Sequence, residues 1–115
     1  MYALGAKKIQ SERSSDHMKT AAELANTCHE SYARSPTGLG PESFRFTDGA
    51  EARALKSSEK YYILRPEVVE GWFYMWRFTK DNKYREWAWQ MIVVCLFLHI
   101  LLFTWKKTKI IIYVF

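Results

Sequence analysis

Pro66-Glu-Val-Val-Glu-Gly-Trp-Phe-Tyr-Met-Trp-Arg-Phe-Thr79, continued by Lys80-Asp-Asn-Lys83 and Tyr84-Arg-Glu-Trp-Ala-Trp89, is the stretch whose reading decides the fold. Proline is tolerated in the first helical turn because the N–H it lacks has no intrahelical partner there, and it biases Leu64-Arg65 before it toward extended backbone. A helix of about four turns therefore opens at Pro66. Lys80–Lys83 reads as the turn, with Asp81 the N-cap of a further helix through Tyr84, Trp87 and Trp89. Two antiparallel helices so closely joined make an αα-hairpin. Of the 19 aromatic residues, 10 lie between Tyr61 and Trp89. An isolated hairpin cannot bury that many, so it is expected to pack against something larger.

Upstream, the spacing predicts a helix over about Asp16–Ala33. Met18, Ala21, Ala25, Cys28 and Tyr32 share one face, with Lys19, Glu23, Asn26 and Glu30 on others. Ser35-Pro36-Thr37-Gly38-Leu39-Gly40-Pro41 stops it, being too rich in breakers for a helix or a sheet interior. Residues 42–60 read as irregular or weakly extended, with Phe44 and Phe46 alternating about Arg45 in what suits one short strand. The expected class is all-α.

Downstream, composition breaks near residue 90, dividing the chain into 1–90 and 91–115. Met91-Ile-Val-Val-Cys-Leu-Phe-Leu-His-Ile-Leu-Leu-Phe-Thr-Trp105 is almost unbroken apolar sequence. As a helix it rises roughly 22 Å, short of a hydrocarbon core of about 30 Å. Extending the span to Phe115 would place Lys106, Lys107 and Lys109 in the bilayer, at several kcal/mol each near its centre. A buried helix fares no better, because no polar face meets water. Three readings stay open: translated intron, a membrane-associating tail and a core helix.

All 12 acidic residues lie in residues 1–90 against 14 of the 17 basic ones, so the formal charge of +5 is +2 there, and the other three are the lysines of the tail. No basic stripe on a folded face results, which argues against nucleic-acid binding. With 115 residues there is room for one small domain at most. Cys28 and Cys95 make no disulfide framework and no zinc spacing, and Met1–Gln10 carries no apolar run of the signal-peptide kind. His17, His29 and His99 are scattered, and no Ser/His/Asp or Cys/His grouping emerges; on spacing alone Cys28 is an ordinary buried thiol.

The densest polar constellation is Arg65, Glu67 and Glu70. The two glutamates are neighbours on one helix face within its first turn, where the helix dipole and free N–H groups favour ionised carboxylates. Such a group suits a base, a nucleophile or a cation's outer shell, and suits a general acid poorly. Acidic residues are also common in first helical turns for stability alone, at about 0.3–1 kcal/mol. A glycosidase needs carboxyls on opposite sides of the scissile bond, about 6.5–9.5 Å apart for inversion. Two glutamates side by side do not flank a bond, so the acid of any such reaction must come from elsewhere.

Glu59-Lys-Tyr-Tyr-Ile-Leu-Arg-Pro-Glu-Val-Val-Glu70, with Trp72-Phe-Tyr-Met-Trp-Arg77 and Tyr84-Arg-Glu-Trp-Ala-Trp89, closely resembles the class I α1,2-mannosidases of glycoside hydrolase family 47, and most of all their Golgi branch. Thr27-Cys-His-Glu-Ser-Tyr32 and Leu39-Gly-Pro-Glu-Ser-Phe44 match in the same order, and Met1-Tyr-Ala-Leu-Gly-Ala6 fits an internal position of the family's catalytic domain. The resemblance covers about residues 1–91. It implies an internal piece of an (α/α) seven-hairpin barrel, in an enzyme that trims α1,2-linked mannose from high-mannose N-glycans by inversion, using bound Ca²⁺, in the Golgi or endoplasmic reticulum. By that resemblance Glu67 is a catalytic carboxylate, with a general-base role. Arg65, Glu70 and Glu42 bind substrate, Glu70 also reaching the calcium through its water shell. Cys28 matches one cysteine of a disulfide whose partner is expected upstream of Met1.

The departures carry their own expectations. The family's general acid and second catalytic acid are expected upstream, its direct calcium-ligating threonine downstream, and its membrane anchor is not expected within these residues. Gly71 stands where Ser or Thr is usual, and Ala88 and Gln90 replace a usual Gly and Glu. Cys95 lies beyond the resemblance and is no substitute partner for Cys28. The isolated chain is thus expected to be inactive. The rival is a non-catalytic helical-hairpin protein that binds a partner, with weak membrane association through residues 91–115.

Overall fold

The computed structural model describes residues 1–63, 65–104 and 112–113. Leu64 and the Lys106/Lys107/Lys109 cluster of the sequence reading lie outside the described residues, as does the side chain of His99. The element order is α1 (Tyr2–Ile9), α2 (Ser14–Ala33), β1 (Arg45–Thr47), β2 (Ala50–Arg53), a 3₁₀ turn (Ser57–Glu59), β3 (Tyr61–Tyr62), α3 (Glu67–Thr79), α4 (Lys83–Thr104) and β4 (Ile112–Tyr113).

The αα-hairpin forms as its punctuation dictates. Pro66 is the N-cap of α3, and its carbonyl accepts the first helical bond from Glu70 N–H at 2.9 Å. At the other end Lys80 turns left-handed (φ 61°) and donates its N–H to the Trp76 carbonyl at 2.8 Å. The Asp81 carboxylate accepts the Lys83 N–H at 3.1 Å and so shapes the entry to α4. The helix α2 spans the stretch read for it, starting two residues earlier than Asp16.

Its apolar face meets the hairpin through Trp72, 1% exposed, whose indole N–H donates to the Ala25 carbonyl at 3.2 Å. That bond satisfies the one polar atom of a large buried side chain, which would otherwise cost about 1–3 kcal/mol. Tyr32 meets the edge of Trp72 at 5.4 Å between centroids, and His29 stacks on Trp87 at 4.0 Å. The breaker segment after α2 folds back over this cluster. Leu39 is fully buried, and Gly40 lies so close to Tyr32 that a Cβ there would sit 2.1 Å from the ring.

Two features depart from the sequence reading, and a third concerns the stretch past residue 90, for which that reading left three alternatives open. The first is α1, whose short span buries only Ala3 and Ala6 and so carries little apolar periodicity. The second is that the chain is mostly helical rather than all-α. The expected single strand at Phe44–Phe46 is half of a hairpin, in which β1 pairs antiparallel with β2 around Asp48-Gly49, Thr47 facing Ala50, with a register irregularity between Arg45 and Thr47. Asp-Gly between extended segments is a hairpin signal in its own right. The third is that α4 crosses the composition break without interruption. Its apolar residues have no polar face to turn outward, so Ile92, Val93, Leu96, Phe97 and Ile100 are exposed. No helix of the described residues is long and apolar enough to cross a membrane. The short β4 pairs antiparallel with β3.

Candidate functional site

The site builds from the segment that leads into α3. Tyr62 is buried at 4% exposure, and its hydroxyl donates to the Arg65 carbonyl at 3.4 Å. Burial pushes the Tyr62 phenol well above its ordinary range, so it remains a donor at all physiological pH. That bond fixes the backbone one residue before Pro66 and aims the Arg65 guanidinium back across the molecule. There Arg65 Nη2 donates to Glu42 Oε1 at 2.6 Å, joining positions 23 apart in sequence. Glu42 and Arg65, two residues the sequence reading gave to one ligand, are therefore partners. The other guanidinium N–H groups are available to a ligand on the outer side, where Arg65 is half exposed.

Glu67 and Glu70 follow in the first turn of α3, both exposed. Their Cβ atoms are about 5–6 Å apart by helix geometry, and neither closes an ion pair with the Arg65–Glu42 couple. Glu67 also borders a cavity of about 320 Å³ with Leu24, Cys28 and Trp72. The thiol of Cys28 is free and half-buried, and burial raises its pKa. A desolvated thiol away from any cation is a poor nucleophile. Burial likewise lowers the pKa of His29, opposed by the nearby Glu30. Its stacking on Trp87 gives that ring a packing role.

Missed by the sequence reading is Glu59, the one buried carboxylate among the described residues, at 6% exposure. One oxygen accepts Arg45 Nε at 2.9 Å and Nη2 at 2.5 Å, and the other accepts the backbone N–H groups of Leu55 and Lys56 at 3.0 and 3.1 Å. The Arg45 guanidinium, with help from those N–H groups, holds its pKa down to about 2. The clue lay in Ser57-Ser58-Glu59, a short polar turn closed by an acid that can reach back to its own first N–H groups.

Calcium takes six to eight oxygen ligands. Among the described residues no three His, Cys, Asp or Glu side chains come together as a metal cluster. Glu42 is engaged by Arg65, and Glu67 and Glu70 form only a pair on one helix. These residues do not by themselves fit a calcium centre. What they bring together is an Arg65–Glu42 pair set directly before the helix turn that carries Glu67 and Glu70.

Comparison with known proteins adds to this geometry. The family model described as Glycosyl hydrolase family 47 matches residues 1–95, running a few residues into the apolar stretch. The chain is 53% identical over 93 residues to mannosyl-oligosaccharide alpha-1,2-mannosidase IA of Drosophila melanogaster, covering 81% of this chain. It is 54% identical over 92 residues to mannosyl-oligosaccharide 1,2-alpha-mannosidase IA of Sus scrofa (80% of this chain) and 51% identical over 90 residues to the IB protein of Homo sapiens (78%). In each case it spans 14% of the relative's own length.

Proposed function

This chain belongs to glycosyl hydrolase family 47, and from that premise we propose that residues 42–70 form one wall of a sugar pocket for hydrolysis of α1,2-linked mannose in N-glycans. The observation that carries the reading is the Arg65–Glu42 pair at 2.6 Å, set directly before the helix that begins with Glu67 and Glu70. In the inverting reaction water attacks the anomeric carbon as the glycosidic C–O bond breaks. Glu67 takes a proton from that water, a task open to an exposed carboxylate at a helix start. Arg65 donates to sugar hydroxyls while Glu42 fixes the plane of its guanidinium. Glu70, one turn on, would accept from a further hydroxyl and would face the water shell of a calcium ion held by other residues of a whole enzyme. Calcium, when bound in a whole enzyme, would supply a fixed positive charge, and these residues do not hold it directly.

The leaving oxygen needs a proton from an acid facing Glu67 across the bond. Glu70 cannot be that acid, because it stands on the same helix face. The 115-residue chain by itself is therefore expected to release no mannose from an α1,2-mannobiose. Activity belongs to a larger assembly, acting in the Golgi or endoplasmic reticulum, in which other helical hairpins cover the exposed faces of Phe73 and Trp89. In this reading Cys28 takes a disulfide partner from that assembly. Weak membrane association through residues 91–115 is part of this reading, supported by the exposed row Ile92, Val93, Leu96, Phe97 and Ile100 on α4.

The test is a graft. The aligned segment of the Sus scrofa relative, over which the two are 54% identical, is replaced by the corresponding residues of this chain. The graft should hydrolyse an α1,2-mannoside within about tenfold of the parent, an allowance of about 1.4 kcal/mol in transition-state binding. A folded graft with no hydrolysis would overturn the proposal.

A further inference from the structure

We infer that Glu59 is a positioning residue for this site: its buried carboxylate clamps together the two chain segments that bring Glu42 and Arg65 into contact. The inference rests on the reading of residues 42–70 as a sugar pocket and adds a part to it. An ion pair as exposed as Arg65–Glu42, with 54% and 22% of the side chains accessible, contributes little by itself. A pair that weak cannot organise the segments it joins. Its geometry has to be imposed by the backbone on either side.

Glu59 ties both sides. Its carboxylate takes two bonds from Arg45, three residues after Glu42, and its own carbonyl accepts the N–H of Ser43 at 3.5 Å. The second carboxylate oxygen closes the Leu55–Lys56 turn that launches β3. From there Tyr62, buried in the core, passes the constraint to the Arg65 carbonyl. The Glu59 carboxylate accepts four bonds where the Arg65–Glu42 pair has one, so the clamp outweighs the pair it supports. Held ionised down to about pH 2, the clamp stays closed across the pH range of any cell compartment.

The test uses the full 115-residue chain labelled with ¹⁵N. Glu59→Gln keeps the size of the side chain and removes its charge, placing an N–H₂ group against donors. Solvent exchange of the Ser43 amide should then speed up by about tenfold and that of the Arg65 guanidinium protons by about threefold, while the Trp72 indole N–H is unchanged. Glu59→Asp should fall between. Should Glu59→Gln also free the Trp72 indole, Arg45→Lys, which keeps the charge and loses the fork, provides the same comparison. Arg65 exchange unchanged in a folded variant overturns the inference.

In the graft, Glu59→Gln should raise KM for the mannoside with a smaller change in kcat, a split that loss of folded protein alone would not give. A graft inactivated by Glu67→Gln but indifferent to Glu59→Gln would sink the positioning role and leave the site standing. A graft indifferent to Glu67→Gln would sink the site, with Arg65 exchange still deciding the clamp.

Discussion

Gly40 shows how a single residue sets the local structure. Its backbone runs against the buried Tyr32 ring, and a methyl group would lie 2.1 Å from Cε2 and 2.6 Å from Cδ2. Because Tyr32 is also wedged against Trp72 and Tyr62, it cannot step aside. Gly40→Ala is expected to destabilise the chain by about 1–3 kcal/mol, read as a lower midpoint in urea. Glu59 makes a pH prediction of definite sign. Its pKa falls from an ordinary 4.5 to about 2 on folding. Its contribution is therefore complete above pH 4.5 and is lost as pH falls toward 2. The stability gap between the wild type and Glu59→Gln, measured in urea at a series of pH values, should be flat above that window and close within it. At this scale the helix-start carboxylates were legible, because Pro66 fixes where α3 begins and hence where Glu67 and Glu70 stand. The Arg65–Glu42 contact was legible only as shared membership of one pocket by resemblance. No spacing rule joins residues across an irregular segment, and Glu59 escaped for the same reason.

At the scale of elements, helix boundaries followed from local chemistry wherever breakers or caps marked them: Pro66 before α3, Lys80–Lys83 between α3 and α4, and the Pro/Gly cluster after α2. Two elements did not follow. The first helix carries too few large apolar residues to show a period, and it is stabilised by packing its small residues Ala3 and Ala6. The β1–β2 hairpin is three and four residues long, too short for alternation to register, although Asp48-Gly49 marked its turn. The long α4 poses a different problem, since the composition break at residue 90 is no structural boundary in it. Phe97 and Leu96 are 62% and 56% exposed, so they contribute little to the fold and much to association. Phe97→Lys is expected to leave the free energy of unfolding within about 0.5 kcal/mol of wild type. Sedimentation velocity should show the same variant shifted toward smaller species, and an unchanged distribution would place the sticky surface elsewhere.

For the molecule as a whole, the proportions decide what the fold can do. The chain spans 14% of the length of its mannosidase relatives, and its hairpin leaves aromatic faces at Phe73 and Trp89 open to solvent. On the proposed reading these residues make one wall of a pocket, with the carboxylate of Glu67 and the guanidinium of Arg65 but, among the described residues, no acid facing them. The proposed role of Glu67, taking the proton from water, is what the rest of the pocket depends on. It is tested most directly by kcat/KM of the Sus scrofa graft carrying Glu67→Gln, set beside Glu12→Gln on the exposed surface near the start of the chain. A lost general base costs about 10²–10⁴-fold. A loss of that size for Glu67→Gln, with Glu12→Gln at the level of the unmutated graft, is the expected result. Equal activity in the two variants would contradict the assignment of Glu67 and the pocket built around it.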